Sequence, residues 1–322
     1  MTHSLTSVRF EKHATREEHA PLGERKSEHV SVLLDEAIAF LDLQEGNLVV
    51  DMTAGAGGHS EAILRANKKV KLIAIDADVT AVERTRKRLA PIDKGGARTE
   101  VLAGNFRDIE GILDNAGVEK IDKALFDLGW NSNQLEEGRG FSFQTNEPLN
   151  MSYGEKPASG FTARDILNTW EENVIADVLF GYGEERYAKR IAKAVIERRD
   201  IQPIETTIEF VELIKDSVPS SYRHGRLHPA TRSFQALRIA VNDELGSIEK
   251  GIHGAWMKMQ EGGRIVVITF HSIEDRLVKR LFLALAKKNG KLLVKKPLVP
   301  SEAEIKRNPR ARSAKLRAIE KI

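Results

Sequence analysis

Three carboxylates close three apolar runs, and a cluster of glycines follows the first. Leu48-Val-Val ends in Asp51, and Gly55, Gly57 and Gly58 follow, then His59 and Ser60. Lys71-Leu-Ile-Ala-Ile ends in Asp76, and Lys123-Ala-Leu-Phe ends in Asp127. Glycines at this density let a backbone turn sharply and approach a ligand closely. The residues after them have helical character, so free N–H groups point back at the loop. That is a place to hold a polar cofactor. The dinucleotide fingerprint needs G-x-G-x-x-G, but the sixth position from Gly55 is Ser60. Asp51 would repel a pyrophosphate and suit a cationic ligand. Asp76 lies about twenty residues on, the spacing at which an acid grips a ribose diol. The combination suits S-adenosylmethionine better than a nicotinamide cofactor, although an ordinary βαβ turn would also carry such glycines.

Asp127 has different chemistry open to it. It is followed by Leu128-Gly129-Trp130-Asn131-Ser132-Asn133-Gln134-Leu135. An exocyclic amine on a base is a poor nucleophile, because its lone pair is delocalised into the ring. A carboxylate that draws the N–H bonds out of the ring plane localises that pair and can take the proton. Holding the amine in line with a methyl donor supplies much of the rate. Taken alone, Asp127 could equally cap a turn.

The elements that must position these groups follow from periodicity. Glu100-Val-Leu-Ala reads as a further strand, and its loop carries Asn105 and Phe106. Strands alternating with helices, such as Val79 to Leu89, predict an α/β fold with a parallel, doubly wound sheet. Ligands in such sheets sit at the C-terminal ends of the strands, where Asp51, Asp76, Phe106 and Asp127 all fall. The next core strand is Gly263 to Phe270, preceded by a predicted long helix over Ala230 to Met259. About a hundred residues separate Asp127 from that helix, far more than a βα loop needs. An inserted, mostly helical subdomain is therefore expected, with helices over Thr162 to Phe180, Glu184 to Arg199 and Thr207 to Val218. Two short strands in the tail, Lys291-Leu-Leu-Val and Leu316-Arg-Ala-Ile, would complete a seven-stranded sheet.

Composition narrows the class. The chain has 322 residues, 41% apolar, with a net charge of +3 and no cysteine. A disulfide framework and cysteine-based zinc sites are excluded. His3, His13 and His19 lack ligand spacing, and no metal is expected. No apolar run could span a bilayer, and no signal-peptide pattern is present, so a cytoplasmic protein away from membranes is expected. Residues 1–28 read as a mobile extension. Lys287 to Ile322 holds twelve basic and three acidic residues. Glu184 to Arg199 holds six and three. Either could face phosphates or merely water.

Several stretches resemble the bacterial family of S-adenosylmethionine-dependent 16S ribosomal RNA cytosine-N4 methyltransferases. They are Gly57-Gly-His-Ser60, Asp127-Leu-Gly129 with Gln134-Leu135, Arg139-Gly-Phe-Ser-Phe143, Tyr182-Gly-Glu-Glu-Arg186, His228 to Ile239, Val241 to Leu245, Phe270 to Arg276, and Asn308 to Ser313. They run in family order from about His29 to the end. The resemblance implies a class I methyltransferase (Rossmann-like) sheet over 29–135 and 229–322, with the helical insertion at 136–228. It implies methylation of a cytosine N4 in the small ribosomal subunit, near the P site, by a monomer or a homodimer. It places cofactor contacts on Gly57, Gly58, His59, Asp76, Phe106, Asp127 and Gln134, with Phe106 stacked on or flanking the adenine. Asn131, Ser132, His228, His271 and Ser272 would lie toward the target base.

The chain departs from the family where Asn131-Ser132 replace two serines and Asn133 replaces proline. It also carries Pro148-Leu-Asn150-Met151-Ser152-Tyr153 where the family reads Pro-Leu-Asp-Met-Arg-Met, losing an acid and a base together. The other readings are an N4-methyltransferase for another RNA or DNA site, and a non-catalytic RNA-binding protein, which the retained Asp127 and Gln134 argue against.

Overall fold

The computed structural model describes residues 31–129, 138–154 and 157–322. The expected extension over 1–28 and the predicted site residues Asn131, Ser132 and Gln134 lie outside the described residues.

Seven strands form one sheet: β1 (Leu48–Asp51), β2 (Lys71–Asp76), β3 (Thr99–Ala103), β4 (Ile121–Asp127), β5 (Met259–Thr269), β6 (Gly290–Leu292) and β7 (Lys315–Lys321). Their order is β3-β2-β1-β4-β5-β7-β6. The apolar runs are nearly continuous because both faces of the sheet are covered. Val49 packs into the core on one face and Val50 into the core on the other. Leu125 and Phe126 divide in the same way. The first five strands in this order are parallel. β7 runs antiparallel to both β5 and β6, so the sheet is mixed rather than wholly parallel. The chain enters β7 from the segment Pro309–Ser313, at the end of the sheet where β5 leaves it. No crossover helix lies directly before β7 to reverse its direction.

The chain order reverses at β1, which pairs with β2 on one side and β4 on the other. A crevice therefore opens beyond the C-terminal ends of these strands. Asp51, Asp76 and Asp127 are the last residues of β1, β2 and β4.

Between β4 and β5 lies a second apolar core, built from helices Ala163–Thr169, Glu172–Gly183, Ala188–Arg199 and Thr207–Ser217. Thr162 with Asp165, and Thr206 with Glu209, form reciprocal capping boxes that start two of these helices. Helix Thr231–Asn242, on the methyltransferase side of the expected division, sends Phe234, Leu237 and Val241 into the same core. It crosses Glu172–Gly183 closely, since a Cβ on Gly183 would stand 2.4 Å from the Arg232 carbonyl oxygen.

The predicted helix over Ala230 to Met259 is two helices, Thr231–Asn242 and Glu244–Lys258. Asp243 breaks it with left-handed backbone angles, φ 46° and ψ 46°. Its carboxylate receives Arg107 at 2.6 Å, and a Cβ at Gly246 would press on that carboxylate at 2.4 Å. The predicted helix over Thr162 to Phe180 is also divided, because Trp170 and Glu171 are extended. The basic helix starts at Ala188 rather than Glu184, which instead closes the preceding helix with φ 52°.

Candidate active site

The crevice is a cavity of about 610 Å³. One wall comes from the glycine loop and the ends of β1, β2 and β4. The facing wall comes from Phe141, Phe143, Tyr153, Asn242, Glu244 and Glu274.

On the first wall, Gly55 and Gly57 hold positive φ angles of 55° and 77°. A Cβ on Gly55 would come no closer than 3.9 Å to another residue. Helix Gly58–Ala66 begins directly behind the loop, as expected. Asp51 is fully buried beneath it and accepts Ser60 Oγ at 2.6 Å and Thr53 N–H at 3.2 Å. It does not reach the cavity surface, so it fastens the loop to the sheet instead of facing a cationic ligand. Burial raises its carboxyl above the ordinary value, against the lowering effect of the Ser60 hydrogen bond.

Asp76 does face the cavity. Its Oδ2 accepts Gly55 N–H at 2.7 Å and its Oδ1 accepts Asp78 N–H at 2.9 Å. These bonds fix the rotamer and leave a lone pair on each oxygen for hydroxyl donors. Burial pushes the Asp76 carboxyl up, more than the two N–H bonds hold it down. Phe106 also lines the cavity, braced edge-on against Phe126 with ring centroids 5.6 Å apart. A Cβ on Gly251 would clash with it at 2.6 Å, so that glycine makes room for the ring.

Asp127, at the end of β4, lines the cavity. Thr53 Oγ1 accepts its N–H at 2.7 Å, and its Oδ1 accepts Gly129 N–H at 3.1 Å. Oδ2 lies 3.4 Å from Nδ1 of His59. The His59 ring is 5% exposed, and its Nε2 lies 3.2 Å from the Val32 carbonyl oxygen. His59 therefore stands beside Asp127, and both line the cavity.

The residues expected near the target base are placed differently from one another. His271 caps helix Ser272–Ala286: its Nδ1 accepts Glu274 N–H at 3.3 Å, and Glu274 reaches back to the backbone of Phe270 and His271. Ser272 donates to Glu184 at 2.8 Å. His228 is exposed and lies flat on Phe143, with centroids 4.6 Å apart and an interplanar angle of 4°. Their neighbours Phe270, Glu274 and Phe143 reach the cavity in their stead.

Sequence reasoning missed the facing wall. Tyr153 stacks on Phe141 at 5.4 Å and donates its hydroxyl to Glu244 at 2.8 Å. Arg238 grips Glu244 with two bonds, of 2.6 and 2.9 Å. Tyr153 and Glu244 are 91 positions apart, and no local pattern joins them. Glu244, His271 and Glu274 bring ligand atoms within 4.8 Å of one another. Within this cluster Arg238 and Tyr153 bond to Glu244, Glu274 Oε2 accepts the N–H groups of Phe270 and His271, and His271 Nε2 lies 2.9 Å from Glu274 Oε1. Where the acid and base are replaced, Asn150 is exposed and Ser152 donates to the Gly154 carbonyl at 2.8 Å.

The sequence pattern of the MraW methylase family matches residues 26–322. The chain belongs to that family. Relatives named ribosomal RNA small subunit methyltransferase H include one from Carboxydothermus hydrogenoformans, 45% identical over 311 residues, which covers 91% of this chain and 98% of its own length. Another, from Geotalea uraniireducens, is 46% identical over 312 residues, with coverage of 91% and 98%. A third, from Synechocystis, is 45% identical over 297 residues, with coverage of 91% and 93%.

A methylase needs a methyl donor, and the cavity of this methylase fits S-adenosylmethionine. Asp76 has free lone pairs for a ribose diol, Phe106 offers a braced apolar ring, and the open glycine loop admits a close approach. The pH dependence of cofactor affinity tests the Asp76 assignment. Protonation competes with accepting the diol, and the Asp76 carboxyl is raised. Affinity is therefore expected to weaken as pH falls, starting above the ordinary aspartate value of 3.8. Asp76→Asn should lower affinity about 10- to 100-fold at neutral pH and flatten the profile. A wild-type profile that is flat down to 3.8 contradicts the assignment.

Proposed function

We propose that the chain transfers a methyl group from S-adenosylmethionine to the exocyclic N4 of a cytosine in 16S ribosomal RNA, in the cytoplasm and near the P site of the small subunit. The observation that carries this reading is the Asp127 carboxylate: it ends β4 in the cavity wall, with Oδ1 tied to Gly129 N–H and Oδ2 3.4 Å from His59 Nδ1. Gly55, Gly57, Gly58, Asp76 and Phe106 would hold the cofactor, which when bound supplies an electrophilic methyl group. Gln134 belongs to the same proposed set, as do Asn131 and Ser132 on the base side.

The chain's own work is done on the amine. Asp127 Oδ2 accepts an N–H of the cytosine amino group, draws it out of the ring plane and receives the proton that N4 loses. The tether from Oδ1 to Gly129 keeps the carboxylate from rotating away. Gly129 has to be small, since a Cβ there would lie 2.9 Å from Asp127 Oδ1 and 2.8 Å from the Phe270 ring. The base must leave its stack to enter the cavity. Phe141, Phe143, Tyr153 and Phe270 offer aromatic surface to receive it. Methylation at carbon is a poorer fit, because adding a nucleophile to the ring calls for a thiolate and the chain has no cysteine.

The test is transfer of label from S-adenosylmethionine to small subunits, or their naked RNA, from a strain lacking this activity. The label should map to one cytosine. Transfer to no cytosine, or equally to unrelated RNA or DNA, contradicts the proposal.

A further inference from the structure

The motif Tyr182-Gly-Glu-Glu-Arg186 lies outside the cavity, yet nearly every residue in it has a defined task. Gly183 permits the close helix crossing. Glu184 receives Ser272 at 2.8 Å and also Arg276, fastening the inserted helices to helix Ser272–Ala286. Glu185 is fully buried, with Oε1 accepting Tyr187 N–H at 2.8 Å and Oε2 accepting Tyr222 OH at 2.6 Å. Burial, and then the Glu185 carboxylate, push the Tyr222 hydroxyl up to about 12, so it stays a donor.

Arg186 is exposed and pairs with no carboxylate among the described residues. Its guanidinium carbon lies 5.1 Å from the centre of the Tyr187 ring and 4.7 Å from that of Tyr222. The two rings meet at 70°, with centroids 4.9 Å apart. Both guanidinium distances are within cation–π range. Cation–π contact holds the group through its charge and leaves its N–H donors for a bidentate anion. Part of the ordering cost of binding is thereby met before the ligand arrives.

The surroundings fit one kind of ligand. Between Asp216 and Asp243 the chain has no acidic residue, and Arg223, His224 and Arg226 stand exposed in that segment. The segment ends at His228, stacked on Phe143 of the cavity wall. On the other side, Glu184 meets Ser272, two residues past the cavity-lining Phe270. The chain on either side of Arg186 and Tyr222 is thus tied to residues next to the cavity, through Glu184 to Ser272 and through His228 to Phe143.

We propose that Arg186, clasped by Tyr187 and Tyr222, binds a backbone phosphate of the RNA strand that delivers the target cytosine, and that Arg223 and Arg226 continue the track. This rests on the reading that the substrate is RNA. Arg186→Gln should weaken binding of protein-free small-subunit RNA several-fold at low salt. It should also reduce the slope of log affinity against log salt by about 0.7 for the lost phosphate contact, and leave S-adenosylmethionine affinity unchanged. Arg186→Lys should keep the slope. In the wild-type chain, a dicarbonyl reagent specific for guanidinium groups should modify Arg186 more slowly when that RNA is bound. An unchanged slope in Arg186→Gln, or equal labelling of Arg186 with and without RNA, overturns the assignment while leaving the RNA reading in place. A wild-type chain that neither binds nor methylates this RNA removes the RNA reading and the assignment together.

Discussion

Asp127→Asn should lower methyl transfer to small-subunit RNA by about 10²- to 10⁴-fold while cofactor affinity changes little. The range is that of a positioned general base. The amide has nearly the same shape as the carboxylate, so Gly129 N–H can still bond to it and the wall keeps its form. With its oxygen kept on Gly129 N–H, the amide presents NH2 where Oδ2 stood, so it neither accepts a hydrogen bond from the amine nor carries away the proton. The defect should therefore appear in single-turnover transfer at saturating cofactor and RNA, not in the binding of either. Turnover within a few-fold of wild type would remove Asp127 from the chemistry and leave it as a turn residue.

The second large effect is on stability. Arg238 and Glu244 form a buried pair, with side chains 6% and 10% exposed. Burial works against the charge on Arg238, but the Glu244 carboxylate outweighs it and holds the guanidinium above its usual range. Arg238→Ala strands the Glu244 carboxylate and is expected to cost about 3–5 kcal/mol, a fall in Tm of roughly 10 °C. Replacing both residues together, as in Arg238→Met with Glu244→Leu, should recover much of that loss, because no buried charge is left alone. Thermal denaturation of both variants checks this. A single variant as stable as wild type would mean that the pair is not held as described. Tyr153 also donates to Glu244, so the double variant should fold and still methylate poorly, its facing wall having lost a fixed aromatic ring.

The parts of the fold that were legible in the sequence are those governed by local physics. Buried strands need continuous apolar runs, and the acids that end β1, β2 and β4 mark where the chain leaves the sheet. The two short tail strands were visible by the same rule. The break at Asp243 was not, because apolar periodicity runs through it on both sides. Its left-handed backbone is held by Arg107, 136 positions away. The direction of β7 was equally hidden, since a strand's side-chain pattern reads the same both ways.

At the site, the cofactor wall was legible because its groups are close together in the chain. His271 is expected toward the target base on the resemblance alone, but with Glu274 three residues later it follows capping-box spacing, a signal in the local sequence. Asp51 was visible as an acid before the loop; only the fold showed it turned inward onto Ser60. The facing wall of Tyr153, Glu244 and Arg238 is assembled across the insertion, where spacing carries no information.

The most direct test of the central claim is the chemical identity of the product. RNA methylated by the chain in vitro can be digested to nucleosides and the methylated species separated and fragmented in a mass spectrometer. The account predicts N4-methylcytidine, formed by the wild-type chain and nearly abolished in Asp127→Asn. A methyl group on cytosine carbon, on a ribose oxygen or on another base would contradict it.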